Sequence, residues 1–499
     1  MLPWTALAAV AAASLAALSL GLDVGMISST LVQPTFLSYF DKPSPSSIGG
    51  VVAAFSAGAC FGALSSALIS DRYGRLWGLR IGSLIAVIGA ALQAGAVHVA
   101  MLIIGRLVNG FGAGILTATF PVYASEVAPP NIRGALGGFQ MLMISAAIFI
   151  ATATGYGFGT SFTNDAQWRG PLAVQAAPLL LLVPISFFIP ETPRYLVSKD
   201  REDQAYRVLS KLHRGCSQAF IEGELTEMVD QIRAERAMFT PNWAEIFQRP
   251  SWRRRILLIA GLQIMAQLTG INCIQYYASN IYEQLGFSTF DALRLNLIYG
   301  AFGFIFNIFW VLTIDRFPRI RLIIGSLVLM CAALLTQAVL SGVYDKRSYV
   351  SPDALRAQVA MFFVFNLGFM AMGMLTWLIP PEMCPMVMRA KANALSVAVN
   401  NVAGLVVAEV APIGLAHIGF KFFFLFVACD LVAIPILYLF YPETSKLSLE
   451  EMNVTFADEI VDHLQKVTPE YHAQRSPDAP TVSDAKKLES TVVEESVKS

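Results

Sequence analysis

The chain has 499 residues, 55% of them hydrophobic, with 36 glycines and only 14% charged residues, where an ordinary soluble domain carries about 25% charge. Its 35 basic and 35 acidic residues cancel, so nucleic-acid binding has no electrostatic footing. So few charges on so apolar a chain exclude a soluble protein and indicate a membrane protein.

A helix needs about 20 apolar residues to cross the hydrocarbon core. Runs of that length predict spans over about 4–27, 48–70, 77–97, 99–121, 134–157 and 171–190. After a polar break they resume over about 255–281, 293–314, 320–342, 357–380, 391–415 and 420–441. The first run has the length of a signal peptide, but Met1-Leu2-Pro3-Trp4 offers no basic segment and the run continues into Gly21-Leu22-Asp23, so it is read as a span. The expected fold class is an all-α membrane protein of twelve transmembrane helices, arranged as six-helix bundles over 1–190 and 255–442. Between them, 191–254 contains REDQAYRVLSKL, whose spaced apolar positions predict short amphipathic helices in a small cytoplasmic domain. The tail, 443–499, opens with a helical start over 447–452 and reads as disordered after about 470.

Basic residues set the orientation. With both termini cytoplasmic, the inside loops hold 21 Lys and Arg before the tail is reached, against 7 outside. Without the central loop the margin is 9 to 7, so that loop and the tail carry most of the argument. The sequon Asn453-Val454-Thr455 then faces the cytoplasm and stays unglycosylated, and the plasma membrane is the expected location. The six cysteines show no CxxC and the five histidines form no metal or catalytic set, so no disulfide framework, metal, cofactor or enzymatic centre is expected. Gly110-Phe111-Gly112-Ala113-Gly114 follows no strand and reads as a helix-packing stripe.

The two halves repeat. Ser70-Asp71-Arg72-Tyr73-Gly74-Arg75 recurs as Ile314-Asp315-Arg316-Phe317-Pro318-Arg319, 244 residues on. Glu126 and Arg133 recur as Glu382 and Arg389, and Pro190-Glu191-Thr192 as Pro442-Glu443-Thr444. Two parallel repeats with a path between them at the bilayer midplane are the physical pattern of a rocking transporter.

DRYGR follows span 2, GRLVNGFGAG lies in span 4, and PVYASEVAPPNIRG comes after it. PETPRYL follows span 6, QLTGIN and a Tyr-Tyr pair lie in span 7, and PETSKLSLEEM follows span 12. With these motifs in this order, the chain over about 15–455 resembles the sugar porter branch of the major facilitator superfamily, and its residue detail is most similar to fungal proton-coupled members. The resemblance implies import of a monosaccharide, a hexose, pentose or related polyol, by proton symport through alternating access. The implied partners are the small-molecule substrate, a proton and the lipid bilayer, with no obligate protein partner.

Asp23 and Arg106 stand inside spans 1 and 4, where an unpaired charge costs at least ~2.5–3.5 kcal/mol, so they should pair or face water. The resemblance assigns proton uptake to Asp23 and its otherwise ionised partner to Arg106; the alternative is an ion pair that only ties the two spans. Asp71, Arg72, Arg75, Glu126, Arg133, Asp315, Arg316, Arg319, Glu382 and Arg389 match the family's cytoplasmic gate, against a plain reading of positive-inside anchoring. Gln140, Gln267, Asn272, Trp377 and Asn400 match its sugar ligands, and amides with an aromatic face suit hydroxyls and the C–H face of a sugar. Their alternative is interhelical packing.

Several positions depart from the family pattern. Ala266 replaces one of the paired span-7 glutamines, and Gly303 stands where span 8 usually has Asn, with Asn307 one turn on. Leu22 precedes the span-1 Asp, Asn401 follows Asn400, Leu76 ends the first gate motif and Pro318 replaces Gly in the second. Glu409 and Asp430 are intramembrane acids outside the family motif; each could pair with a cation, contact a basic substrate or donate a hydrogen bond while protonated, with a structural role slightly favoured. The thinned amide set keeps open the export of a non-sugar metabolite on the same fold, beside a passive sugar facilitator; a sugar receptor is disfavoured by the short tail.

Overall fold

In hydrocarbon every backbone N–H and C=O must find a partner inside the protein, and the described residues meet this with helices and no strand. The computed structural model describes residues 4–127, 133–213, 218–238, 247–344, 352–384, 386–445, 452 and 455–456. The chain divides into two compact units, Met1–Leu447, which holds every element named below, and Ser448–Ser499. The sequon Asn453, the tail from 457 and most of the helical start expected at 447–452 lie outside the described residues.

Among the described residues, eleven segments are long and apolar enough to cross a membrane. The last, Lys391–Phe440, is two helices folded back at a 3-10 turn over Gly419–Lys421, which makes twelve crossings. The first six are built from α1 (Trp4–Ala13) with α2 (Leu15–Thr30), α4 (Pro45–Tyr73), α5 (Arg75–Ala94), α6 (Val99–Val127), α7 (Arg133–Ser161) and α8 (Ala166–Val174) with α9 (Ala177–Ile185). A short α3 (Pro34–Tyr39) joins the first and second crossings. Then come α10 (Pro193–Ser198), α11 (Glu202–Leu212) and α12 (Gln218–Met238). The second six are α13 (Pro250–Leu268) with α14 (Ile271–Gln284), α15 (Thr289–Thr313), α16 (Arg319–Tyr344), α17 (Pro352–Met383), α18 (Met386–Ile418) and α19 (Phe422–Phe440).

Three of the continuous apolar runs are broken helices, each for a local reason. The first breaks at Ser14, whose hydroxyl donates back to the Ala11 carbonyl at 2.6 Å. The sixth breaks before α9, where Pro178 has no N–H to give. The seventh breaks at Gly270, which has φ +86° and admits no side chain because a Cβ would lie 2.6 Å from the Phe426 ring. Gln267 and Asn272 sit on the two sides of that break.

The glycine stripe works as a packing device on two faces of α6. A Cβ at Gly110 or Gly114 would land on the carbonyl of Phe55 or Ala59 in α4, while Gly105 and Gly112 abut Gln93 and Ala86 of α5. Residues i, i+4 and i, i+7 thus let one helix be clasped from both sides by backbone. Leu68, Ile88, Ile104, Leu312 and Leu439 are exposed on the outside of these helices, as lipid-facing side chains should be. In the central segment α11 buries Ala205, Leu209 and Leu212, one stripe of an amphipathic helix. Leu212 packs in one cluster with Ala6, Ala9 and Val10 of α1, and the Thr5 hydroxyl donates to the Lys211 carbonyl at 2.7 Å.

Candidate functional site

Asp23 of α2 and Arg106 of α6 meet as a two-bond pair: Arg106 Nη1 donates to Oδ1 at 3.0 Å and Nη2 to Oδ2 at 2.9 Å. The side chains are 1% and 0% exposed, so the pair is sealed from water. The planar guanidinium fork matches both carboxylate oxygens, the geometry in which such a pair is strongest. Arg106 also lies over the Phe55 ring, 5.6 Å from its centroid. Tyr276 of α14, the first of the span-7 tyrosines, is within Coulombic reach of both charges.

The predicted substrate residues are held by different devices. Gln140 of α7 is buried, and its Nε2 has no partner. Gln267 leaves its Oε1 unpaired beside the Gly270 break. Gln267 and Asn272 face Gly404 of α18: a Cβ there would lie 2.8 Å from Asn272 Nδ2 and 3.5 Å from Gln267 Oε1. Trp377 of α17 packs against Ala63, Ala118 and Val397, so it touches α4, α6 and α18 together. Asn400 is committed elsewhere, donating from Nδ2 to Gln263 Oε1 at 2.8 Å. Gln263 in turn donates to the Thr376 carbonyl at 2.9 Å and the Ser396 hydroxyl at 2.8 Å. Gln263, Thr376, Ser396 and Asn400 thus form a polar knot joining α13, α17 and α18, which leaves Asn400 its Oδ1 and one Nδ2 hydrogen for other work.

The two repeated motifs build two matching clusters. In the first, Arg75 Nη2 donates to Glu126 Oε1 at 2.8 Å, with Asp71 at 3.9 Å, and Glu126 Oε2 accepts from the Thr192 hydroxyl at 2.6 Å. In the second, Arg319 Nη2 reaches Asp315 at 2.7 Å and Glu382 at 3.5 Å, and Glu382 Oε2 accepts from Thr444 at 2.8 Å. Glu191 accepts from the backbone N–H of Arg75 and Leu76 at 3.2 Å each, while Glu443 accepts from Arg319 N at 2.7 Å and Ile320 N at 3.1 Å. Both carboxylates therefore satisfy orphan donors at a helix start, where the helix dipole favours them. Burial pushes the Glu191 carboxyl above its ordinary value, against the backbone donors of Thr192, Leu76 and Arg75 and the Arg75 charge, which hold it down.

Gly74, with φ +107°, leaves room for Glu191 to reach over it. The second copy makes its turn without a left-handed residue: a 3-10 turn over Ile314–Arg316 ends in extended Phe317, the conformation that Pro318 imposes on its predecessor. Arg72 and Arg316 are exposed and, among the described residues, form no ion pair; Arg72 stacks over Tyr73 at 5.4 Å. They stand apart from the clusters because they point outward at the helix ends. Arg389 donates to the Cys384 carbonyl at 3.5 Å, and the Arg133 side chain lies outside the described residues. Both clusters join helices within one set of six. Hydrogen bonds also join the two sets: Asn393 of α18 donates to the Ala118 carbonyl of α6 at 3.1 Å, and Asn296 of α15 to the Ser28 hydroxyl of α2 at 3.2 Å.

Compared with known proteins, residues 9–456 match the family described as Sugar (and other) transporter. The chain belongs to that family. As a member it is a multi-pass membrane transporter of the major facilitator superfamily and not an enzyme. It is 36% identical to an MFS-type transporter, criB of Aspergillus cristatus, over 89% of this chain and 91% of that one. It is 29% identical to the low-affinity glucose transporter HXT1 of Saccharomyces cerevisiae over 88% of this chain and 80% of the other. Its fold matches that of the xylose transporter XylE from E. coli in a partially occluded inward-open conformation, with a TM-score of 0.74 and 22% identity over 89% of this chain and 99% of that one.

In this family member four residues make contacts that the motifs alone did not single out. Glu191 and Glu443 lie inside a recognisable motif, but their task depends on folding back to a helix start more than a hundred residues away in chain order. Gln263 and Asn393 carry no signal beyond being amides in apolar runs, which marks an interior face and no more.

Proposed function

We propose that the protein imports a monosaccharide or related polyol together with a proton, at the plasma membrane, with both termini cytoplasmic. The halves 1–190 and 255–442 rock about the path between them. The observation that carries this is the sealed Asp23–Arg106 pair, fully buried and in electrostatic reach of Tyr276. Burial favours the neutral form of a carboxyl while the arginine favours the charged one, so a change of surroundings as the halves rock moves the balance. In the cycle, Asp23 takes a proton from outside and loosens Arg106, and substrate binds among Gln140, Gln267, Asn272, Trp377 and the free side of Asn400. The gate clusters of Arg75 with Glu126 and Arg319 with Glu382 then open, and low proton activity inside releases both ligands. Unpaired amide atoms on Gln140 and Gln267 support a ligand rich in hydroxyls, which can both donate and accept.

The test is uptake of labelled hexoses, pentoses and polyols by cells lacking their own carriers, with and without a protonophore. Protonophore-sensitive accumulation supports symport. Uptake that only equilibrates, and ignores the protonophore, supports a facilitator. Export of a non-sugar metabolite is the second reading, favoured by Ala266 in place of an amide and by the commitment of Asn400 to Gln263. Surface expression without uptake of any polyol would bring it forward.

A further inference from the structure

Position 303 on α15 has no side chain, yet the space above it is not empty. A Cβ at Gly303 would lie 3.2 Å from Asn366 Nδ2 and 3.7 Å from Asn366 Oδ1, so the amide of Asn366, on α17, covers that glycine. Asn366 is 1% exposed. Its Nδ2 donates to the Tyr299 carbonyl at 3.3 Å, which fixes the amide plane, and its Oδ1 has no donor. One turn along α15, Asn307 is fully buried, gives its Nδ2 to Met370 Sδ at 3.0 Å and also leaves Oδ1 unpaired.

Asn366 shares one face of α17 with residues that approach the first six helices. Residues 366, 370, 373 and 377 recur at i, i+4, i+7 and i+11, which is one face of a helix. On that face Gly373 abuts Met141, the neighbour of Gln140, and Trp377 reaches the first six helices. Two buried amide oxygens on facing helices, both without donors, are costly inside a membrane unless a donor-bearing ligand meets them. Carbonyl oxygens accept only, so the ligand that suits them presents donor protons, as the hydroxyls of a polyol do.

We propose that Asn366 is a substrate-binding residue that supplies, from α17, the amide oxygen that position 303 lacks, with Asn307 Oδ1 beside it as a second acceptor. This assignment rests on the polyol reading above and sharpens it: the ligand must present hydroxyl donors to the α15–α17 seam. A purely apolar metabolite would leave both oxygens unsatisfied.

The test compares wild type, Asn366→Leu, and the exchange variant Gly303→Asn/Asn366→Gly, using whichever labelled hexose, pentose or polyol the wild type takes up best. Asn366→Leu keeps the branching of the side chain and removes the acceptor, and should raise KM roughly five- to tenfold with maximal rate at equal surface expression little changed. The exchange variant returns the amide to α15 and should recover KM to within about threefold of wild type. Unchanged KM in Asn366→Leu overturns the assignment while leaving the polyol reading intact. If Asn366→Leu fails to reach the surface, the exchange variant decides alone: affinity retained supports the assignment, and a folded variant without it overturns it. Wild type that takes up no member of the panel overturns both.

Discussion

Arg106 grips Asp23 through both carboxylate oxygens, at 2.9 and 3.0 Å, with neither side chain open to water. The two partners are unequal when separated. A carboxyl left without its arginine can neutralise itself by taking a proton, whereas a guanidinium cannot lose one. Asp23→Asn should therefore destabilise the protein by about 3–5 kcal/mol, the range for a buried pair that loses one member. Arg106→Met should cost clearly less, and the double variant should recover most of the loss. Melting temperatures of the four purified proteins in detergent check this; equal losses for the two single variants would count against it. In transport, Asp23→Asn should remove protonophore-sensitive accumulation.

Glu191 and Glu443 make the same contacts on the two halves, each closing the start of the helix that follows a gate motif. Loss of either carboxylate leaves backbone donors unpaired in a partly buried place. Glu191→Ala and Glu443→Ala should each cost about 1–3 kcal/mol, and their effects should add because they lie in separate clusters. Thermal unfolding of the single and double variants tests the additivity. Glu191→Gln should cost less than Glu191→Ala, since the amide oxygen still accepts and burial already disfavours the charged form at this site.

Much of this arrangement was legible from residue types alone, and the reasons differ by position. Asp23 and Arg106 stand out because an ion in an apolar run has few stable options, and pairing is one of them. Arg75 and Arg319 stand out because the same short motif occurs twice. The helix break at Gly270 was hidden, since the apolar run passes through it and one glycine is permitted in a membrane helix. Asn400 was legible as an interior amide, but its bond to Gln263 depends on how α13 and α18 lie against each other. The cover that Asn366 gives Gly303 was hidden for a similar reason: the two residues stand on different helices.

Gly404 offers a direct probe of the region around Gln267 and Asn272. A methyl group there would lie 2.8 Å from Asn272 Nδ2, closer than side chains tolerate, so one of the two amides must move. Gly404→Ala should raise KM about tenfold or more through the displaced amides, at normal surface levels. Gly325→Ala is the control, because nothing lies within 4 Å of its added methyl. It should be neutral, or slightly stabilising by up to about 1 kcal/mol through helix propensity. Equal kinetics for both variants would remove Gln267 and Asn272 from the binding region.

Asn393 and Ala118 link the two sets of helices by one hydrogen bond, close to the seam where Ala63, Ala118, Val397 and Trp377 pack. Asn393→Leu removes the bond and should favour the conformation in which this seam is open. A net hydrogen bond of about 0.5–1.5 kcal/mol corresponds to a shift of roughly two- to twelvefold in the two populations. Ala63→Cys reports it, because residue 63 is fully buried while the seam is closed. Alkylation of that cysteine should run several-fold faster when Asn393→Leu is added. An unchanged rate in a protein that still reaches the surface would mean that Trp377 and its neighbours hold the seam without Asn393, and that the bond only orients the side chain.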